Sequence, residues 1–170
     1  MRKNLSDLTT ESPDIPNYKI IRRIGKGSYG EVWLGRSVTG VMRAVKVVSR
    51  ANFERERTFE REFEGIKNFE ALHHPGLVEI KHVGRNDEEG FYYYVMELAD
   101  DRARGCDIDS ATYVPRTLSS EITQQGRLSM DRCAAWGEKM ADCPALIVYF
   151  PPLAYNIFLL SPLNLIMGTW

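Results

Sequence analysis

The sequence predicts an α+β fold, in which a five-stranded antiparallel sheet carries one long helix after its third strand. Three observations predict it. Apolar, β-branched segments recur between turn residues, one segment repeats its apolar residues with a helical period, and that segment follows the third β-rich stretch. We assign this unit to residues 18–99 and expect an incomplete set of helices over residues 100–142.

The first three predicted strands begin at Tyr18, Glu31 and Met42 and read "YKIIRRIG", "EVWLGRS" and "MRAVKVVSR". A glycine-rich stretch separates the first two, and the turn residues Thr39 and Gly40 separate the second from the third. Two further strands, "GLVEIKHVG" and "FYYYVMEL", flank the turn "RNDEEG". The glycine-rich stretch therefore joins a strand to a strand.

The long helix is predicted over residues 51–74, "ANFERERTFEREFEGIKNFEALHH", and Pro75 should end it. Its apolar residues recur at steps of three and four, which is the period of one helix face. A second helix is predicted in "RLSMDRCAAWGEKMADC", with Ser129 as its N-cap. Between the sheet and this second helix, the pattern indicates a polar stretch.

Composition excludes several classes of function. Lys plus Arg number 22 and Asp plus Glu number 23, so no net charge favours nucleic acid or an anionic membrane. Three cysteines without C-x-x-C spacing predict neither a zinc site nor a disulfide framework, and fit a reducing cytoplasm. The N-terminus has no apolar signal-peptide region, and residues 1–17 are interpreted as a disordered polar leader.

The stretch "IGKGSYGEV" has glycines at positions 25, 27 and 30, the spacing G-x-G-x-x-G. A dinucleotide-binding loop with this spacing runs from a strand into a helix, whereas this one runs into a strand, so that interpretation is rejected. Glycines in a hairpin let backbone amides approach phosphate without interference from a Cβ atom. A glycine-rich turn that binds nothing is the alternative.

Lys46 lies in an apolar strand, where alternation places it on one face with Ala44 and Val48. A buried lysine needs a partner because an unpaired charge is costly to bury. At about 100° per residue, Glu62 falls inside the apolar stripe of the long helix, between Ile66 and Phe69. We therefore predict a Lys46–Glu62 ion pair, with a lysine that reaches water at a strand edge as the alternative.

These segments together resemble the N-terminal lobe of protein kinases. Gly25, Gly27, Gly30 and Val32 match the family's glycine-rich loop, "RAVKVV" resembles its lysine strand, and "YYYVMELAD" resembles its last strand and hinge. The match is to Ser/Thr kinases of the bacterial type over residues 18–99, and is looser over 100–142. The resemblance implies that Lys46 and Glu62 are the catalytic residues of this lobe.

The resemblance also implies ATP as the nucleotide, with Val32 over the adenine, Met96 as gatekeeper and Lys46 on the phosphates. The residues that would contact ATP are Ile24, Gly25, Gly27, Gly30, Val32, Ala44, Lys46, Met96, Glu97 and Ala99. The protein substrate is not identified by the sequence. In the intact family Mg²⁺ accompanies ATP, but no metal ligands are predicted here, and the adjacent His73 and His74 lack a third ligand.

The motifs H-R-D and D-F-G, which supply the family's catalytic Asp and its metal-binding Asp, do not occur in the sequence. Residues 143–170 carry no charged side chain and contain several prolines. This tail could be a gene or reading-frame artefact, a membrane anchor opposed by its prolines, or a packed tail. The chain is expected to be a truncated Ser/Thr kinase that is inactive alone, or a pseudokinase-like fragment that binds nucleotide or a partner.

Overall fold

The computed structural model of the protein describes residues 12–27, 30–70, 78–127, 129–141, 158–160 and 165–167. Five antiparallel strands form one sheet in the order β1-β2-β3-β5-β4. The strands are β1 Tyr18–Lys26, β2 Glu31–Ser37, β3 Met42–Ser49, β4 Ile80–Asn86 and β5 Phe91–Met96. The predicted α+β class and its five-stranded antiparallel sheet are confirmed.

The long helix, α1, spans Glu56–Glu70 among the described residues, so it begins five residues after the predicted start at residue 51. A 3-10 helix, Arg50–Asn52, precedes it, and Ser49 caps that helix by accepting the N–H of Ala51. Phe53 then takes an extended conformation, with φ −114° and ψ 133°, so α1 cannot continue back to residue 51. The predicted helix end at Pro75 lies outside the described residues.

Among the described residues, two more helices follow the sheet, α2 Leu118–Gln125 and α3 Met130–Ala141. The second helix predicted from the sequence corresponds to α3, and Ser129 Oγ accepts the Arg132 N–H at 3.4 Å, as an N-cap should. The prediction of a polar stretch missed α2. Thr117 begins α2 with a capping box, in which its side chain and that of Ser120 each accept the other's backbone N–H.

The sheet has an apolar cluster on each face. On one face, α1 packs with Phe59, Ile66 and Phe69 against side chains of the sheet, including Val32 and Tyr92. On the opposite face, Trp33, Val45, Tyr93 and Val95 pack with Ile15. Ile15, which lies within the predicted polar leader, is 2% exposed. Residues 1–11 lie outside the described residues.

Near the C-terminus, β6 Phe158–Leu160 and β7 Leu165–Met167 form an antiparallel pair. Strand β6 contacts α3, and β7 contacts α2. None of the described helices has the length and apolar character needed to span a bilayer. Most of residues 143–170, to which the three interpretations of the tail apply, lies outside the described residues.

Candidate functional site

The glycine-rich stretch connects β1 to β2 as a hairpin, as its sequence setting predicted. Gly25 pairs with Val32 and Lys26 pairs with Glu31 across the two strands. Beyond these pairs, the Gly27 N–H donates a hydrogen bond to the Gly30 carbonyl oxygen at 2.8 Å. Residues 28 and 29, at the tip, lie outside the described residues. The strand-to-strand geometry excludes a dinucleotide loop of the Rossmann type.

Gly30 is held against the backbone of β3. A Cβ atom at this position would collide with the Val47 carbonyl oxygen, a backbone atom that cannot move without distorting the sheet. Its backbone does not lie in the left-handed region, so the requirement for glycine here is one of space. This glycine of the motif therefore has a structural reason that is independent of any ligand.

The predicted site residues of β2, β3 and β5 lie in two adjacent cross-strand rows on the face that packs against α1. Val32 pairs with Lys46, and Lys46 pairs with Tyr94 on the next strand. Ala44 pairs with Met96 in the neighbouring row. All of these side chains are buried, and Ile24 from β1 packs against the same apolar cluster. The sheet therefore surrounds one cation, Lys46, with apolar groups.

Lys46 is 9% exposed, and burial lowers its pKa from 10.5 to about 8, while the charge of Glu62 acts in the opposite direction. Its Nζ lies 5.8 Å from the centre of the Tyr94 ring, within the range of a cation–π contact. Among the described residues, no carboxylate lies within 4.0 Å of this ammonium. The strand thus holds a poorly solvated cation that senses the charge of Glu62.

Glu62 is half-buried on the inner side of α1, as the helical pattern predicted. Burial raises its pKa, and the charges of Arg61 and Lys46 oppose that shift. The carboxylate and Lys46 therefore sense each other, but the predicted ion pair at contact distance is not formed in this structure. Glu62 also raises the pKa of Tyr94, whose shift comes mainly from burial, so its carboxylate faces the same part of the sheet.

The position of α1 is set by other contacts. The rings of Phe59 and Phe63 lie 5.2 and 5.3 Å from the ring of Tyr92, centre to centre. Arg85 of β4 donates two hydrogen bonds to Glu60, of 2.7 and 2.8 Å, in a bidentate pair. Aromatic packing and this surface ion pair fix the helix on the sheet without a Lys46–Glu62 bond.

The predicted hinge follows β5 directly. The Glu97 N–H donates to the Glu79 carbonyl oxygen at 3.2 Å, which ties the hinge to the chain before β4. Ala99 is 2% exposed, and its carbonyl oxygen accepts a hydrogen bond of 3.1 Å from the Tyr113 hydroxyl. Sequence reasoning missed Tyr113, because nothing in its local pattern indicates a contact with a residue fourteen positions away.

A cavity of about 550 Å³ lies beside the hinge. It includes the predicted site residues Glu97 and Ala99 but not Val32, Ala44 or Lys46, which lie on the face toward α1. Its lining residues are Val41, Met42, Arg43, Glu97, Leu98, Ala99, Asp100, Cys106 and Ile108. The predicted residues therefore fall into a hinge group and a sheet group. No group of three or more potential metal ligands was found among the described residues.

Comparison with known proteins identifies relatives for this arrangement, although no family model matches the chain. The chain is 27% identical over 129 residues to CBL-interacting serine/threonine-protein kinase 9 of Arabidopsis thaliana, which covers 75% of this chain and 25% of that protein. It is 39% identical over 100 residues to mitogen-activated protein kinase 10 of Oryza sativa subsp. japonica, a match that covers 56% of this chain and 16% of that protein. It is 34% identical over 92 residues to serine/threonine-protein kinase cds1 of Schizosaccharomyces pombe, covering 49% and 19%.

Among solved structures, the M. tuberculosis PknI kinase domain matches with a TM-score of 0.57 at 21% identity, covering 75% of this chain and 45% of that one. This likeness shows the fold. The chain spans a quarter or less of each of the three curated relatives and under half of the matched kinase-domain chain. These findings confirm the resemblance that the glycine, lysine and hinge segments indicated.

Proposed function

We propose that this chain, a kinase-like N-lobe with part of a C-lobe that resembles Ser/Thr protein kinases, binds ATP between its glycine hairpin and its hinge. One observation supports this above the others. Lys46 is a buried ammonium, without a carboxylate within 4.0 Å among the described residues, on a sheet face shared with Val32 and Ala44. Because a buried ammonium without a carboxylate partner is costly, its presence is best explained by an anionic ligand that pairs with it.

ATP fits this requirement chemically. Its polyphosphate would supply the negative charge that Lys46 lacks, and the glycine hairpin would cover the phosphates with backbone amides. Its adenine would lie among Ile24, Val32, Ala44 and Met96, and would reach the backbone of Glu97 and Ala99. When bound, ATP supplies the transferable phosphoryl group. The residues of this chain only bind and orient it.

We further propose that the 170-residue chain does not transfer the phosphoryl group by itself. The sequence lacks H-R-D and D-F-G, so it offers neither the family's catalytic Asp nor its metal-binding Asp. In a longer protein that supplied these motifs, the same lobe would serve phosphorylation of protein Ser or Thr hydroxyls. We also propose a cytoplasmic location, which the exposed free cysteines Cys106 and Cys133 support.

The test is thermal unfolding and calorimetric titration of the whole chain with ATP, with and without Mg²⁺. We expect stabilisation by ATP that is lost in Lys46→Met and kept in Lys19→Met, because Lys19 is an exposed lysine of β1. No shift at millimolar ATP, or an equal shift in both variants, would reject the proposal. Phosphotransfer that Lys46→Ala abolishes would contradict the claim that the chain is inactive alone.

Titration of Lys46 gives a second, independent readout. Its pKa is about 8 in the free chain, and phosphate oxygens would raise it, so binding must take up a proton near pH 8.5. Calorimetry in two buffers of different ionisation enthalpy measures that uptake. Binding without proton uptake would place ATP away from Lys46.

A non-catalytic, partner-binding domain is the second candidate. The separation of Lys46 from Glu62 favours it, because the family's active arrangement joins the two. An unchanged melting temperature with ATP, together with a folded and monomeric chain, would favour this candidate over the first.

A further inference from the structure

The chain that follows the hinge folds into a compact loop, residues 100–117, here called the post-hinge loop. Its centre is Asp101, which is 5% exposed. The Asp101 carboxylate accepts three backbone N–H groups, from Ala103 and Arg104 at 2.8 and 2.9 Å and from Val114 at 2.8 Å. Carboxylates that accept several backbone N–H groups hold turns firmly, so the loop is a preformed unit.

A side-chain hydrogen bond ties the post-hinge loop back to the hinge. Tyr113 is 1% exposed, and its hydroxyl donates to the carbonyl oxygen of Ala99 inside the protein. Since a buried hydroxyl and a buried carbonyl both need a partner, each of these groups satisfies the other. This bond fixes the orientation of the peptide group that follows Ala99.

The same loop is bonded to β1 at a second point. The Arg22 guanidinium donates to the Ser110 carbonyl oxygen at 3.2 Å and to the carbonyl oxygen of Tyr113 itself. Arg22 stands two residues before Ile24 and three before Gly25, in the strand that leads into the glycine hairpin. One residue, Tyr113, thus accepts a bond from β1 through its backbone and donates one to the hinge through its side chain.

We propose that Arg22 and Tyr113 are positioning residues that set the distance between the glycine hairpin and the hinge. This inference rests on the proposed ATP site, whose two halves are those same elements. Arg22 bonds the strand of the hairpin to the post-hinge loop, and Tyr113 bonds that loop to the hinge carbonyl of Ala99. Breaking either bond lets the two halves move apart, so the pair controls nucleotide affinity without touching the nucleotide.

The test measures ATP affinity by calorimetry for Tyr113→Phe, Arg22→Met and the double variant. Each single change removes hydrogen bonds to a buried or half-buried carbonyl, and we expect ATP affinity to fall about three- to tenfold. Because both residues act through one loop, the double variant should lose no more than the weaker-binding single variant. Affinities within about twofold of the unmodified chain, or additive losses, would overturn the proposal.

Two matched controls separate positioning from general destabilisation. Tyr93→Phe removes a tyrosine hydroxyl that lies 3.5 Å from His82 Nε2 on the opposite face of the sheet. Arg23→Met removes the neighbouring arginine of β1, whose guanidinium pairs with Glu31 at 2.6 Å. Both controls should keep ATP affinity. Equal losses in controls and test variants would assign the effect to stability alone and overturn the proposal.

Hydrogen exchange keeps this inference distinct from the proposed function. In the ligand-free chain, Tyr113→Phe should speed amide exchange in residues 22–26 as well as 97–101, while Tyr93→Phe should not. If the unmodified chain does not bind ATP, the proposed function fails, and exchange alone decides the coupling. Faster exchange in both segments then supports the link between hairpin and hinge, and unchanged exchange in 22–26 refutes it.

Discussion

Replacing Lys46 by Met should remove the proposed ATP binding and, in the same step, stabilise the ligand-free protein. The ammonium is 9% exposed, and its pKa falls from 10.5 to about 8 because burial disfavours the charged form. At about 1.4 kcal/mol per pKa unit, keeping this group charged costs the fold about 3 kcal/mol at pH 7. Methionine fills similar space without the charge, so the variant should avoid most of that cost.

The sign of the pH dependence follows from the same two pKa values. Between pH 8 and pH 10.5, the unfolded chain binds more protons at Lys46 than the folded chain does, so stability rises with pH in this window. Below pH 8, Lys46 is charged in both the folded and the unfolded chain, and the free-energy cost of burying its charge is at its full value. At pH 9.5 the remaining cost is about 1.4 kcal/mol, roughly half of its value at pH 7.

Urea denaturation at pH 7 and pH 9.5 measures both quantities. For Lys46→Met we expect a free energy of unfolding about 3 kcal/mol higher at pH 7, which at typical m-values moves the midpoint by about 1–3 M. The difference from the unmodified chain should narrow to about 1.4 kcal/mol at pH 9.5. A variant less stable at pH 7, or a difference in stability that does not change with pH, would refute the inference that the buried charge of Lys46 destabilises the ligand-free fold.

Two further predictions follow from the hairpin and from α1. Gly30→Ala should destabilise the chain by about 1–3 kcal/mol in the same urea assay, because the added Cβ meets the Val47 carbonyl oxygen. In the control Gly35→Ala, the added Cβ meets side-chain methyl groups that can move, so the loss of stability should be smaller. Equal losses in the two variants would contradict the backbone clash at Gly30. Glu62→Gln should lower the pKa of Lys46 below about 8, since the Glu62 charge raises it. The pH dependence of Lys46 acetylation, read by mass spectrometry, measures that shift, and an unchanged midpoint would show that the two groups do not interact.

The strands and the inward direction of Glu62 could be predicted from the sequence because both depend on local periodicity. Alternation alone places Lys46 on a buried face, and the helical period alone places Glu62 on the inner side of α1. The distance between them could not be predicted. It depends on how α1 sits on the sheet, and that is set by the packing of Phe59 and Phe63 on Tyr92, which are contacts between segments far apart in the chain.

Two local features were missed for different reasons. The predicted start of α1 is too early because the charged residues after residue 50 are good helix formers, whereas the structure has a 3-10 helix at Arg50–Asn52 and an extended Phe53 there. The sequence of α2 contains a start and a stop signal, since Thr117 is a favoured N-cap residue and Gly126 follows the last turn. The post-hinge bond from Tyr113 carried none, because no periodicity connects it to Ala99.

The glycine motif and the lysine carry different weight as signs of phosphate binding. Gly30 would be required even in a hairpin that binds nothing, because the backbone of β3 leaves no room for a side chain. A match to the glycine spacing is therefore partly explained by packing. Lys46 has no such explanation, since an apolar residue in its place should stabilise the ligand-free fold. A buried charged residue that lowers the stability of the ligand-free fold indicates a ligand. Lys46 is therefore a stronger indication of nucleotide binding than the glycine spacing.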